Sequence, residues 1–563
     1  MTEHSNGHRF HCPAPAIHRR HFLGLGAGAI TAAAGFGATA QTQAGKPVPP
    51  PPSKPTGQIV VGLYQEPTAF NPLMPGIEVD EDVWMQIFNT MWVADPQGNL
   101  IPDLAAEIPS EANGGISEGG LAWKVKLRDG VTWHDGTPFT AEDVKYTLEL
   151  INTPSFKART RIGHALVKDI KVTGKNEISW RMERAYAPYL ALLSNTYIVP
   201  KHILEKASDP NTAPFNNAPV GTGPFKWDKR TPGDNISLVA NEKFHGKGPY
   251  LERAILKYIP DKTALYAQFR TGQIDITIGG FPENFYQEAT KLQGRKVQIV
   301  PNASLEIVMP NLEHPALKDK AVRQALYASI NKQAIIDAIY YGLHKPTESF
   351  APQESWAYDP NLPKQQYDLA KANKILDEAG WKRSGSGVRM KDGVSLEFAI
   401  STTTGAALRE QCQQLMQQDW QQIGANVKIN NMPGAVLFGE FYTRSKFESL
   451  IVGTAFRTVI DPDPASRFAS DSIPAKTGNG ANQMQWQNAE ADKLLKAGQE
   501  TFDQAKRKEI YWKLQELVRE ELPILPIFQY VVVEGRKEGL VGYEPNVNAR
   551  HNTWNMGSWY WAR

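Results

Sequence analysis

The sequence predicts an α/β fold in two lobes, the first interrupted by the second and resumed near the C-terminus. Three observations carry this. Between residues 216 and 301 the runs "GTGPFKW", "NISLVAN", "RAILKYI", "DITIG" and "KVQIVP" read as strands, with the helix "DKTALYAQFRTG" among them from Asp261. From residue 317 the apolar period lengthens to 3.6, with Val322, Leu326, Ile330, Ile335 and Ile339 along helical stripes. After residue 523, "LPILPIFQYVVVEG" returns to strand character, so the chain crosses between lobes twice and the crossings can act as a hinge.

Size and composition fit several packed units. At 563 residues the chain exceeds what one core organises, and the rule of about 150 residues per domain gives roughly three or four units. Apolar residues make up 41%, charged residues 21%, and mean hydropathy is −0.41, which is neither disordered nor membrane-embedded composition. The 14 Trp, 19 Tyr and 22 Phe supply aromatic surface suited to pockets for mixed polar and apolar ligands, although most such rings belong to cores. Without the first 40 residues, basic and acidic side chains balance at 58 against 58. No concentrated basic face is left for a nucleic-acid partner.

The first segment reads as a leader. "HRRHFLGLGAGAITAAAGFGATAQ" places Arg19 and Arg20 before a weakly hydrophobic Gly/Ala run that ends at Ala38-Thr39-Ala40. It resembles a twin-arginine export signal over residues 1–40, with a cleavable A-x-A end; the alternative is a membrane anchor. Cys12 would leave with it, and Cys412 alone can form no intramolecular disulfide. The expectation is a soluble periplasmic protein. Residues 41–56, "QTQAGKPVPPPPSKPT", are a proline-rich tether.

The folded body then begins with the strand "QIVVGL" (58–63), closed by the loop "YQEPTAFNP". In 121–151 the alternation over Trp123, Val125 and Leu127 gives a strand, Asp129-Gly130 a turn, and Thr140 with Asp143 a capping box that opens a helix. "YDLAKANKILDEAGW" is an amphipathic helix stopped by Gly380. "SLEFAIST" and "NVKIN" are strands flanking the helix "ALREQCQQLMQQDWQQIG", and two more helices fall within 488–520. No fixed-period repeat is present.

Six blocks in order now carry a resemblance: "WKVKLRDGVTWHDGTPFTAEDVKYTL" (123–148), "VGTGPFKW" (220–227), "NEKFHGKGPYLERAILKYIPDKTALYAQFRTGQIDI" (241–276), "LKDKAVRQALYASINKQAI" (317–335), "YDLAKANKILDEAGW" (367–381) and "DPDPASRF" (461–468). Over nearly the whole chain after the leader the sequence resembles the extracytoplasmic solute-binding proteins of ABC importers, of the dipeptide, oligopeptide and nickel type (family 5). The resemblance implies a type II, cluster C-like periplasmic binding protein fold with a small domain inserted in lobe I. Lobe I would comprise 57–95, 216–305 and 524–563, the insert 96–215, and lobe II 306–523. It further implies a non-enzymatic receptor, expected as a monomer, that closes on a peptide or peptide-like solute and delivers it to an inner-membrane ABC permease. A receptor for an acidic or sugar-type ligand, a chemosensory receptor of the same fold and a secreted hydrolase are the alternatives.

Catalytic and metal patterns are weak. In "TWHDGTPFTAEDV" Asp135-Gly136 makes a turn, and Glu142 and Asp143 suit the first turn of a helix. "GTGPF" lacks the Lys-Ser/Thr of a phosphate loop, so its glycines point to close backbone approach. "GISEG" around Ser117 has no strand-turn-helix elbow, and the histidines after the leader show no pair at ligand spacing. Neither a metal nor a cofactor is expected.

Ligand-facing candidates lie on loops. They are Tyr64, Glu66 and Phe70 in the first loop, and Trp356 in "PQESWAY". Phe456, Arg457, Thr458 and Asp461 follow in "TAFRTVIDPDPASRF". In many peptide-binding members an acid about three residues before the Asp-Pro pairs with the ligand amine. That position here is Thr458 or Ile460, with Arg457 nearby, which shifts the expectation toward an acidic, capped or non-peptide ligand. Asp461 and Asp463, at i and i+2 of a proline-stiffened loop, are poorly spaced to flank a scissile bond.

Overall fold

Two long strands hold the architecture together. Arg295–Pro310 and Leu525–Lys537 pair antiparallel along almost their whole length, and each serves both halves of one large mixed sheet. A computed structural model describes residues 49–563 apart from 384, 386, 456–459, 550 and 563; the leader and most of the tether lie outside them. These residues belong to one unit, Pro49–Arg563.

On one side of the long pair the sheet continues through Ile276–Ile278, Gln58–Leu63, Arg253–Tyr258, Asn235–Ala240 and Phe225–Thr231. On the other side it runs through Ser449–Ala455, Glu397–Ser401 and Asn426–Ile429. Gln58–Leu63 is parallel to both neighbours, and Glu397–Ser401 likewise, so each half carries a parallel core that requires helical crossovers. Lys262–Thr271 is one such crossover. Asp261 caps it by accepting the Ala264 N–H at 2.7 Å, and Gly272 ends it in the left-handed region.

The expectation from "KVQIVP" was a short strand, whereas the strand runs on to Pro310. Asn302, Ala303 and Ser304 interrupt the apolar alternation, and pairing with the return strand shifts register between Pro301 and Leu305. The helical period expected over 317–342 is present. The helical stripe there is two helices, Lys320–Ala328 and Lys332–Ile339, because the Asn331 side chain caps the second by accepting the Ala334 N–H at 3.0 Å.

Residues 116–182 form a separate four-stranded sheet, Ile116–Ser117, Ala122–Lys126, Glu177–Met182 and Val167–Gly174, backed by the helix Ala141–Asn152. It has its own core, in which Trp123 and Trp180 stack at 5.7 Å with Tyr189 edge-on. The capping box is present, with the Asp143 carboxylate accepting the Thr140 N–H at 2.9 Å. The glycines of "GTGPF" permit a close approach to the helix Asp80–Ile87: a Cβ on Gly221 would lie 1.8 Å from the Ile87 carbonyl oxygen. Ser117 is exposed, and among the described residues no group of three or more His, Cys, Asp or Glu is placed to hold a metal. No described helix is long and apolar enough to cross a membrane.

Candidate functional site

In parallel sheets the carboxyl ends of neighbouring strands open onto a crevice where ligands bind. Here Gln58–Leu63 and Ile276–Ile278 run parallel side by side, and the residues that follow them, Tyr64 and Gly279, border a cavity of about 480 Å³. Its edge toward the other half of the sheet is Pro301–Ser304, the stretch where the long strands lose register. Ser304 pairs with Ala455, so the strand Ser449–Ala455 ends at that edge. Arg159 and Thr160, with Leu192, Asn195 and Thr196, come from the segment that carries the separate sheet.

The first loop reaches the cavity through one buried acid. The Asp80 carboxylate accepts the N–H groups of Thr68 at 2.6 Å and Ile77 at 2.7 Å, tying the loop to the helix Asp80–Ile87. This presents Glu78 to solvent on the cavity side, where it accepts a hydrogen bond from the Tyr64 hydroxyl at 3.2 Å. Burial, then the charges of Glu78 and Asp82, push the Tyr64 hydroxyl well above its ordinary range, so it remains a donor.

Two cations line the same cavity, and each has a carboxylate. Arg159 pairs with Glu81 at 2.9 Å while its guanidinium lies 5.2 Å from the Trp84 ring. His551 sits 3.0 Å from Asp82; burial opposes its charge, but Asp82, with Glu81 and Glu78 beyond it, outweighs that and raises it to about 9. His551 is therefore an imidazolium at neutral pH.

Glu534 completes the wall. It is 2% exposed, accepts from both Tyr543 and Asn552, and takes the Gly279 N–H at 3.3 Å. Burial lifts its carboxyl to about 7, against those hydrogen bonds. An acid poised near neutrality beside a cavity can answer to a ligand's charge.

The residues expected to face ligand divide by position. Tyr64 lines the cavity. Glu66 instead holds Arg230 at 2.6 Å, and Phe70, 2% exposed, packs 4.8 Å from Trp227 beneath that guanidinium. Trp356 donates its indole N–H to the Ile460 carbonyl at 2.5 Å and faces the Arg507 guanidinium. Asp461 is buried in a bidentate pair with Arg507, at 2.6 and 2.7 Å. Phe456, Arg457 and Thr458 lie outside the described residues.

Ile460, one of the two positions where the amine-binding acid was sought, packs against Ala94 and Ala191. The described residues of the Asp-Pro loop thus lie on a seam, and none of them is among the residues lining the cavity. Across it the Tyr186 hydroxyl donates to Asp463 at 3.1 Å, and the Ala187 N–H donates to the Gln499 carbonyl at 2.7 Å.

Sequence reasoning missed Glu78, Glu81, Arg159, Glu534 and His551. Two signals were available: the acid density of "EVDED" (78–82), and the lone acid in the apolar run "VVVEG" (531–535).

Comparison with known proteins decides the lineage. Residues 99–475 match the family model described as bacterial extracellular solute-binding proteins, family 5 Middle. The chain belongs to this family. Among relatives, this family 5 protein is 29% identical over 535 residues to the oligopeptide-binding protein AppA of Bacillus subtilis (strain 168), covering 93% of this chain and 94% of that one. The solved structure of AppA in complex with a nonapeptide superposes with a TM-score of 0.75 at 28% identity, over 91% of this chain and all of that one. NikZ from Campylobacter jejuni, in complex with Ni(L-His), superposes at 0.76 with 26% identity, over 90% of this chain and 99% of that one. The two-lobed α/β fold of family 5 is therefore the fold of this chain.

Proposed function

We propose that this family 5 protein is the extracytoplasmic receptor of an ABC importer, exported by a twin-arginine signal, and that it captures a peptide or peptide-like solute for a membrane permease. The observation that carries the reading is the cavity of about 480 Å³ at the carboxyl ends of parallel strands, bordered by Pro301–Ser304, Val532 and Glu534 of the two long strands. Its volume suits a small solute, since ligand pockets run to roughly 300–1,000 Å³. The lining comes from the Gln58–Leu63 side and from the long strands themselves, so contacts added by the other half on closure would let a ligand favour the closed state by its differential affinity. The AppA complex with a nonapeptide supports peptide as the solute class.

An acidic solute, the alternative raised by Arg457, finds no support in the described lining, where both cations are already engaged by carboxylates. The Asp461–Arg507 pair likewise favours a receptor over a carboxylate hydrolase. Thermal-shift screening of the purified protein against peptides, amino acids, polyamines, opines, sugars and metal chelates tests the proposal. Saturable stabilisation by one chemical class, with the solute recovered unaltered, is expected. Turnover of a solute, or no stabilisation by any, would overturn it.

A further inference from the structure

We infer that the separate four-stranded sheet and the segment that follows it form a latch: residues 186–191 grip the far half of the large sheet and hold the receptor closed over the cavity, whatever solute lies inside. The inference rests on the receptor reading above and gives this sheet its part in it. The two sides of the seam belong to different cores. Tyr186 and Tyr189 pack in the core of the separate sheet, and Leu150 and Ile151 of the helix Ala141–Asn152 belong to the core that holds Val61 and Leu63. The separate sheet is thereby fastened to the half that contains Gln58–Leu63. On the other side, the helices Ala489–Glu500 and Gln504–Glu521 share a core with Leu450 and Val452 of Ser449–Ala455, in the far half.

Polar and apolar contacts alternate along the seam. The Tyr186 hydroxyl donates to Asp463 at 3.1 Å, and that carboxylate is already oriented from its own side, where it accepts the Gln499 side-chain amide at 2.9 Å and the Ala465 N–H at 3.1 Å. The Ala187 N–H donates to the Gln499 carbonyl at 2.7 Å. Ile460 seats on Ala94 and Ala191, all three buried. The Phe502 ring fills a notch left by Gly120 beside Trp123, so close that a Cβ on Gly120 would lie 2.1 Å from the ring. Each side thus presents a preformed surface to the other, and little ordering is needed for them to meet.

The seam combines hydrogen bonds with small apolar contacts, and an interface of that kind between domains opens and closes rather than staying fused. Its position decides what opening does. Leu192, Asn195 and Thr196, next along the same segment, line the cavity, whereas Tyr186, Ala187, Ile460, Asp463, Gln499 and Phe502 do not. The long strands join the halves at the edge Pro301–Ser304, and the seam joins them again beyond the wall that carries Leu192. A clasp outside the lining adds the same free energy to the closed state for every solute, so apparent affinity rises with the closed fraction.

The test combines small-angle scattering of the whole protein without solute and isothermal titration with two peptides, tetra-alanine with charged termini and the blocked N-acetyl tetra-alanine amide. Tyr186→Phe keeps its ring in the core, and Phe502 is half-buried outside the helices, so both variants should fold; unchanged circular dichroism checks this. Both are expected to enlarge the radius of gyration of the solute-free protein. Each is also expected to weaken the two peptides by one common factor, about threefold for Tyr186→Phe and about tenfold for Phe502→Ala. Equal radii in the three proteins would overturn the inference. So would affinities unchanged within about twofold, or a loss confined to one of two peptides that both bind. If neither peptide binds the unaltered protein, the receptor reading fails for peptides, and the radii alone then decide the latch.

Discussion

Arg507→Ala is expected to destabilise the fold by about 3–5 kcal/mol, measured as a lower chemical-denaturation midpoint, because it takes a bidentate cation away from a buried carboxylate. The guanidinium donates to both oxygens of Asp461, to the Gly498 carbonyl at 2.9 Å and to the Tyr511 hydroxyl at 3.0 Å. The two side chains of the pair are 7% and 6% exposed, so solvent screens neither. Removing the cation leaves Asp461 next to Asp463, whose carboxyl is already raised by burial and then by the Asp461 charge. Two like charges in one dry loop oppose folding, and the Tyr186 contact across the seam would loosen with them. Arg507→Met combined with Asp461→Leu should recover most of the loss, since an apolar pair of similar volume needs no counter-charge. A loss below about 1 kcal/mol for Arg507→Ala would show the pair to be weakly coupled, as surface pairs are.

The second large effect is acid sensitivity. His134, His164 and His344 are held neutral chiefly by burial, which lowers them to about 4, 3 and 4. The unfolded chain takes up protons at these groups near pH 6.5 while the folded chain resists, so the unfolded state binds more protons below that pH. Their stabilisation is complete above pH 6.5 and is lost as pH falls toward 4. At about 1.4 kcal/mol per pKa unit, each contributes on the order of 3 kcal/mol across that window.

His551 acts in the opposite sense. Its raised value of about 9 gives stability that is complete below pH 6.5 and lost as pH rises through 9. Glu534, raised to about 7, also favours the folded state below its unfolded value and loses that contribution as pH rises through 7. The melting temperature should therefore fall on both sides of a maximum near neutrality, with the steeper limb between pH 6 and 4. His164→Gln, in a site where Tyr189 and Thr196 offer hydrogen bonds at 3.2 Å, should flatten the acid limb; an unchanged limb would assign the acid loss to other groups.

The fold was legible because its evidence is local. Runs such as "QIVVGL" and "DKTALYAQFRTG" state their own periods and caps, and the ordered blocks state the topology. Where reading fell short, the cause was long range. The strand Arg295–Pro310 looked short because Asn302, Ala303 and Ser304 break its alternation, yet that irregularity is the cavity edge. Asp461 looked like a ligand-facing acid because its partner, Arg507, lies 46 residues on and in a different helix.

The cavity was hardest to foresee. Tyr64, Arg159, Asn302, Glu534 and His551 come from five separated stretches and meet only through tertiary packing. Tyr64 was legible because a loop after a strand has a general reason to face a crevice. Glu534 had only its isolation in an apolar strand to mark it, and Arg159 carried no mark at all.

The central claim, that one solute occupies the cavity between the carboxyl ends of these strands, is tested most directly by native mass spectrometry of the protein with a substitution that fills that space. Ser304→Trp places an indole at the cavity edge, where Ser304 is half-buried beside the Pro301–Leu305 register shift. The unaltered protein, incubated with the best solute from the screen, should carry one molecule per chain. Ser304→Trp should carry none at the same concentration while keeping its charge-state distribution. Equal occupancy in the two proteins would contradict the account and move the binding site elsewhere.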